Sequence, residues 1–266
     1  MDDDYSTGSA GREALHDALL DRADPAAVAI LNPRGRAPFL LIGDHAGNRI
    51  PQRLGTLGLS EPDRTRHIAW DIGVGALGEA LASRLDAVFV RQSYSRLVID
   101  CNRDPDTADA IPEVSDATAI PGNIGLSAAA RAARIAAIHA PYQQAIAAEI
   151  ARRSAAGQAT ILLSLHSFTA ALAGQAARPW DIGVLHDGRN DRFARRLLDG
   201  LMRSPTLVVG DNDPYRMDAT DHTVPRHAFP DLPYAELEIA QRRLATADEI
   251  GWWCETLAPL IEGAAA

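Results

Sequence analysis

The sequence predicts an α/β fold, a three-layer sandwich in which helices cover both faces of a mostly parallel or mixed central sheet. Two observations predict it. Apolar runs of strand length, among them Phe39-Leu-Leu-Ile42, Thr160-Ile-Leu-Leu-Ser-Leu165 and Tyr234-Ala-Glu-Leu-Glu-Ile239, alternate with stretches of helical period. The first two runs are almost continuously apolar, as strands buried on both faces are. The chain has 266 residues, 47% hydrophobic and 23% charged, enough for one large core. A single domain over residues 13–266 is expected behind a flexible, polar tail of residues 1–12.

Taken in order, Leu15, Leu19 and Leu20 are spaced for a short helix over 13–21. Ala27 to Leu31 reads as an edge strand, ended by the turn residues Asn32-Pro-Arg-Gly35. The Phe39 strand follows and runs into the polar loop Asp44-His-Ala-Gly-Asn-Arg-Ile-Pro51. Ser60-Glu-Pro-Asp63 combines an N-cap, an early proline and acidic residues, so a helix should run from about Glu61 toward Trp70. Val74, Leu77, Leu81 and Leu85 form the apolar stripe of a second helix after Asp71. Ala87 to Arg91 and Arg96 to Asp100 read as strands joined by Gln92-Ser-Tyr94.

Residues 101–126 have no apolar period, and so long a loop is expected to lie over the active site. Ser127 can cap an Ala-rich helix reaching about Ser154, which Pro141 should kink or divide. The run ending at His166 comes next. Asp181 to Leu185 and Thr206 to Val209 are short strands around a helix over 190–203, and 210–233 is irregular. Tyr234 to Ile239 is the last strand and Ala245 to Ala258 the closing helix.

A formal net charge of −9 and a pI near 5.3 argue against nucleic acid or an anionic membrane surface as partner. An anionic substrate must then be met by local arginines. No apolar run is long enough to cross a membrane, and Met1-Asp-Asp-Asp4 lacks the basic start of a secretion signal, which leads us to expect a cytoplasmic protein. Cys101 and Cys254 have neither metal-site spacing nor the density of a disulfide scaffold and read as structural.

His45 and His166 sit at the ends of two apolar runs of the same design. If the strands are parallel neighbours, both imidazoles reach the carboxyl edge of the sheet, where such folds bind ligands. That is the arrangement a catalytic zinc needs, with one position left for water. The bland alternative is two histidines hydrogen-bonded in loops.

Five ordered segments carry a resemblance: His45-Ala-Gly-Asn-Arg-Ile-Pro51, Trp70-Asp71, Tyr94-Ser-Arg-Leu-Val-Ile-Asp-Cys-Asn-Arg103, Leu165-His-Ser167 and Leu237-Glu-Ile239. Together they resemble the N-formylglutamate amidohydrolase family, related to zinc carboxypeptidases and to aspartoacylase and succinylglutamate desuccinylase. The resemblance implies a zinc-dependent hydrolase that frees an amino acid, such as glutamate, from its N-formyl or similar N-acyl derivative in amino-acid catabolism, as in histidine degradation. It implies one zinc on His45 and His166. The related carboxypeptidases use His-x-x-Glu, but Asn48 stands in the place of the glutamate, so Asp71 is taken as third ligand, with Asp44 as substitute. Asp71 could instead cap the helix that follows.

Alternation puts Glu236 and Glu238 on one face of the last strand. The resemblance selects Glu238 as general base, while Glu236 fits the solvated face of an edge strand. Ala240 stands where the family often carries arginine. By the same resemblance Arg96 polarises the substrate carbonyl, and Asn102 and Arg103 hold the substrate carboxylate, which arginine grips bidentately. Surface salt bridging is the ordinary alternative for Arg96. Tyr215 and His227 are further candidates to touch substrate.

Two rival readings remain. Gly73-Val-Gly-Ala-Leu-Gly78 matches a dinucleotide-binding fingerprint, but the charged stretch Asp63-Arg-Thr-Arg-His67 is no buried strand, so these glycines should instead let the helix pack close to the sheet. Asn48 and Ala240 also suit a ligand-binding protein on a decayed hydrolase fold. A serine hydrolase is disfavoured because no G-x-S-x-G occurs.

Overall fold

The computed structural model describes residues 19–266, so the expected tail of residues 1–12 and most of the helix expected over 13–21 lie outside the described residues. The strands are β1 (Val28–Leu31), β2 (Phe39–Gly43), β3 (Val88–Gln92), β4 (Val114–Ser115), β5 (Thr118–Ala119), β6 (Ile161–Phe168), β7 (Ile182–Leu185), β8 (Val209–Asp211) and β9 (Tyr234–Ala240). The α-helices are α1 (Glu61–Thr65), α2 (Val74–Leu85), α3 (Ala128–Arg134), α4 (Ala140–Ala155), α5 (Arg192–Met202), α6 (Thr223–Ala228) and α7 (Ala247–Ala265). Seven strands form one mixed sheet in the order β1-β3-β2-β6-β9-β7-β8. The four central strands β3, β2, β6 and β9 run parallel, whereas β1 and β7 are antiparallel to β3 and β9.

The period of two sorts the sheet's side chains between two cores. On one face Phe39, Leu41, Phe89, Leu163, Leu165, Ala235 and Leu237 pack against the apolar stripes of α2, α5 and α7. On the other, Leu40, Ile42, Val88, Val90, Leu162 and Tyr234 pack beneath α4 and the chain around Leu97 to Cys101. The two buried cysteines are free and belong to opposite faces, Cys101 to the second core and Cys254 to the first, which suits a structural role. No helix among the described residues is long and apolar enough to cross a membrane.

The glycines of the fingerprint-like segment are spent on packing. A Cβ at Gly78 would lie 2.3 Å from the ring of Phe89, and Gly73 starts α2 with φ of 86°. No strand leads directly into them, since the short helix α1 and a turn stand between β2 and Gly73, so the dinucleotide-binding reading has no structural basis.

Several boundaries differ from expectation. Residues 96–100 are not a strand: Val98 N–H donates to Ser95 O in a tight turn, and Arg96 folds back on Asp100. Their apolar residues are buried, which is what imitated a strand. Helix α1 stops at Thr65 because Arg66 turns to extended backbone and pairs with Asp116. Ser127 caps α3 as expected, and the interruption near Pro141 is a π-helical turn over Ile135–His139, the wider turn that a proline without N–H imposes just upstream. Strand β9 lies between β6 and β7 and is not an edge strand.

Candidate active site

On the second face of the sheet, polar residues replace apolar ones toward the carboxyl ends of two adjacent strands. Leu162 in β6 is followed on that face by Ser164 and His166, and Tyr234 in β9 by Glu236 and Glu238. The parallel register sets Ser164 beside Glu236 and His166 beside Glu238. The loop after β2 adds Asp44 and His45, and the turn before α2 adds Asp71, tied to the first loop by Asp71 N–H donating to His45 O at 2.9 Å. His45, Asp71, His166, Glu236 and Glu238 open onto a cavity of about 290 Å³.

His45, Asp71 and His166 converge, each offering one ligand atom, with all three atoms within 4.8 Å of one another. His45 Nε2 donates to Asp100 Oδ1 at 2.7 Å, which leaves Nδ1 facing Asp71 Oδ2 at 3.4 Å without a hydrogen bond of its own. On the other ring His166 Nε2 is 3.0 Å from Ser164 Oγ and 3.4 Å from Asp44 Oδ2, while Nδ1 lies 3.0 Å from Asp71 Oδ2. In both rings the outer nitrogen is engaged and the inner one is aimed at the same carboxylate, the way outer partners orient metal-binding imidazoles. Ser167 N–H also donates to Asp71 Oδ2, so this carboxylate holds the site together and makes no cap to α2.

The electrostatics mark the same point. Burial opposes ionisation of Asp71, but His45 and His166 overcome it and hold the carboxyl far below its usual range. Burial likewise opposes charge on His166, yet Glu236, Asp44 and Asp71 raise it well above an ordinary histidine. His45 is raised too, its burial and Arg96 being outweighed by Asp100 and Asp71. A locus that draws protons onto two buried imidazoles is one of strong negative potential. The orphaned Nδ1 of His45, the two imidazoles and the carboxylate are therefore a donor set that fits a divalent cation such as zinc.

Glu238 is 7% exposed and Glu236 3% exposed, each with an unpartnered Oε2. Burial pushes both carboxyls up to about 8, although the neighbouring His166 works against it. The expectation that Glu236 faces solvent is thus corrected: it is buried beside the site, its Oε2 3.9 Å from His166 Nε2, because β9 is central. Arg96 lines the cavity and is paired with Asp100 through Nε and Nη2 at 3.0 and 2.6 Å, with Nη1 3.7 Å from Asp71. Arg103 lines it as well, 3.3 Å from Asp109 and 3.7 Å from Asp221.

Asn102 reaches the cavity, but its Oδ1 accepts from the backbone N–H groups of His222 and Thr223 and so holds the start of α6. Tyr215 lines the cavity with its hydroxyl accepting from Arg178 at 2.7 Å. His227 is not among the lining residues; its Nε2 meets Gln143 Oε1 at 2.7 Å. Asn48 lines a different cavity with Arg49 and Tyr94, and Asp44, between His166 and the Thr223 hydroxyl, lies on the outer side of His166.

Sequence reasoning missed Asp100, the partner of His45, because 55 residues separate them. It missed Arg216 as well, an exposed arginine at the cavity for which the described residues provide no ion pair. The only signal for Asp100 was its place within a recognised segment.

Comparison with known proteins agrees with the fold. A gene product of Agrobacterium tumefaciens of known crystal structure is 37% identical and superposes with a TM-score of 0.88, over 92% of this chain and 97% of that one. An N-formylglutamate amidohydrolase from Ralstonia eutropha JMP134 has the same fold at 21% identity, with a TM-score of 0.69 over 90% of this chain and 97% of that one. No curated protein matches the chain. Residues 37–245, a span that contains every residue of the site, match a family of hydrolases acting on amide bonds, and the chain belongs to the N-formylglutamate amidohydrolase family.

Proposed function

We propose that the protein is a zinc-dependent amidohydrolase that cleaves an N-formyl or similar N-acyl amino acid to the free amino acid and a carboxylate. The observation that carries this reading is the convergence of His45 Nδ1, His166 Nδ1 and Asp71 Oδ2 beside the unpartnered carboxylate of Glu238. His45, His166 and Asp71 would hold the ion. Zinc, when bound, supplies Lewis acidity toward an amide carbonyl and lowers the pKa of a water to near neutrality.

The chain's own residues supply the rest. Asp100 holds a proton of His45 on Nε2, and Ser164 and Asp44 engage Nε2 of His166. The nitrogen of each ring that faces Asp71 is therefore Nδ1, unpartnered in His45 and hydrogen-bonded to Asp71 in His166, and would bind the ion once its proton has left. Glu238, buried and with a raised pKa, takes a proton at Oε2 and can return it to the departing nitrogen. Arg96, held by Asp100 through Nε and Nη2 and lining the cavity, keeps Nη1 without a hydrogen bond among the described residues and available to stabilise charge growing on the carbonyl oxygen. Arg103 meets the substrate carboxylate, with Asn102 holding the segment that forms the adjoining wall. A ligand-binding protein on a decayed fold would bind such a substrate without turnover.

The test is to strip the protein with a chelator, add zinc back, and follow amino-acid release from N-formylglutamate and other N-acyl amino acids. Zinc-dependent release supports the reading. Activity that survives full metal removal, or stoichiometric zinc without turnover of any amide, overturns it.

A further inference from the structure

A second cleft, of about 350 Å³ among the described residues, adjoins the site and shares Asp71, Arg96, Arg103, Ser167 and Tyr215 with it. It opens beyond the carboxyl end of β6, past Ser167 and Phe168. Beyond Asp100 and the wall it shares with the inner cavity, the proposed chemistry makes no use of it. A formyl group is scarcely larger than a water molecule, whose share of liquid volume is about 30 Å³. The inner cavity alone could take such a group together with the amino acid, so a formyl substrate would leave the outer cleft to solvent.

The two spaces differ in chemistry. The inner cavity holds Asn102, Arg216 and the two strand glutamates, with Arg216 open to a carboxylate. In the outer cleft the charges are matched: Asp116 with Arg66 and His67 at 3.1 Å each, Asp109 with Arg103 at 3.3 Å, and Asp100 with Arg96 at 2.6 Å. Between these pairs the lining combines the apolar side chains of Ile68, Leu97, Pro112, Phe168 and Leu172 with the uncharged Ser115, Ser167, Thr169 and Tyr215. Such a surface offers little to a charged group and favours contact with carbon.

Resting on the amidohydrolase reading, we infer that the scissile amide bridges the two spaces and that the enzyme prefers an uncharged acyl group of several carbons to formyl. The amino-acid half lies in the inner cavity, near Arg103 and Arg216. The acyl half lies in the outer cleft, against Leu172 and Phe168. Hydrolysis adds one water across the amide and releases a short-chain carboxylic acid.

The experiment measures kcat/KM of the zinc-loaded full chain on N-formyl-, N-acetyl-, N-butyryl- and N-hexanoyl-glutamate, with N-succinylglutamate as a charged acyl group. The value should climb from formyl to butyryl by about fourfold per buried methylene, and succinyl should fall below butyryl. Leu172→Trp, which fills the cleft, should lower the butyryl-to-formyl ratio by about tenfold, while the volume-conserving Leu172→Met should retain the ratio. Rates highest on formyl and falling with chain length overturn the inference and leave the amidohydrolase reading standing. A ratio unmoved by Leu172→Trp in a folded protein overturns it as well. No hydrolysis of any member overturns this inference, and if the same acyl series on other amino acids is not hydrolysed either, the amidohydrolase reading falls with it.

Discussion

Asp100→Asn isolates the part of the account that is least visible in the sequence. The carboxylate accepts from His45 Nε2 at 2.7 Å on one oxygen, and from Arg96 Nε and Nη2 at 3.0 and 2.6 Å on the other. An asparagine of the same shape can accept on one side only. If its oxygen stays with Arg96, its amide group faces the Nε2–H of His45, two donors in contact, and the imidazole must turn or shift its proton to Nδ1. Either response removes the lone pair aimed at Asp71. Loss of such an outer partner lowers metal affinity by about 10- to 100-fold, or roughly 1.4–2.7 kcal/mol. The assay is zinc competition against a chromophoric chelator, with circular dichroism to establish that the fold is retained. A folded Asp100→Asn protein that binds zinc as tightly as the parent would refute the claim that Asp100 sets the His45 tautomer.

Other perturbations separate the remaining roles. Glu238→Gln removes the base and keeps the shape, so kcat should fall by about 100-fold or more with metal retained. Glu236 has no part in the proposed proton transfer and glutamine keeps its shape, so Glu236→Gln should lose less than about tenfold in kcat; equal damage from both changes would contradict the assignment. Arg103→Lys keeps charge but loses the fork, and should raise KM for an N-acyl amino acid while leaving KM for its neutral amide little changed; equal shifts would remove Arg103 from carboxylate binding. Gly78→Ala drives a methyl into Phe89 and should cost about 1–3 kcal/mol in chemical unfolding; no loss would mean that the close packing of α2 is not required.

The sequence reveals the sheet well where a strand is apolar on both faces, as in β2 and β6, because a strand between two helical layers must be buried on both sides over its whole length. It was misleading at Leu97-Val-Ile99, which are equally buried but form a turn: burial of an apolar triplet does not specify extended backbone. His45 and His166 could be picked out because each stands at or near the end of an apolar strand, and Asp71 because it falls in a segment of the family resemblance where a carboxylate ligand was needed. Asp100 and Glu236 could not, since their importance comes from neighbours brought in by the strand order, which local sequence does not encode. The burial of Glu236 follows from β7 pairing antiparallel to β9 and covering what would otherwise be an edge. His227 shows the converse error, a polar residue expected in a loop that instead lies in α6 and packs against Gln143 away from the cavity.

Metal content bears most directly on the central claim. After zinc loading and removal of excess, elemental analysis of the parent protein should give about one zinc per chain, the ordinary stoichiometry of a three-ligand catalytic site, and His166→Ala and Asp71→Ala should retain almost none. Full occupancy in the folded His166→Ala protein, or a parent protein that holds no zinc, would contradict the account.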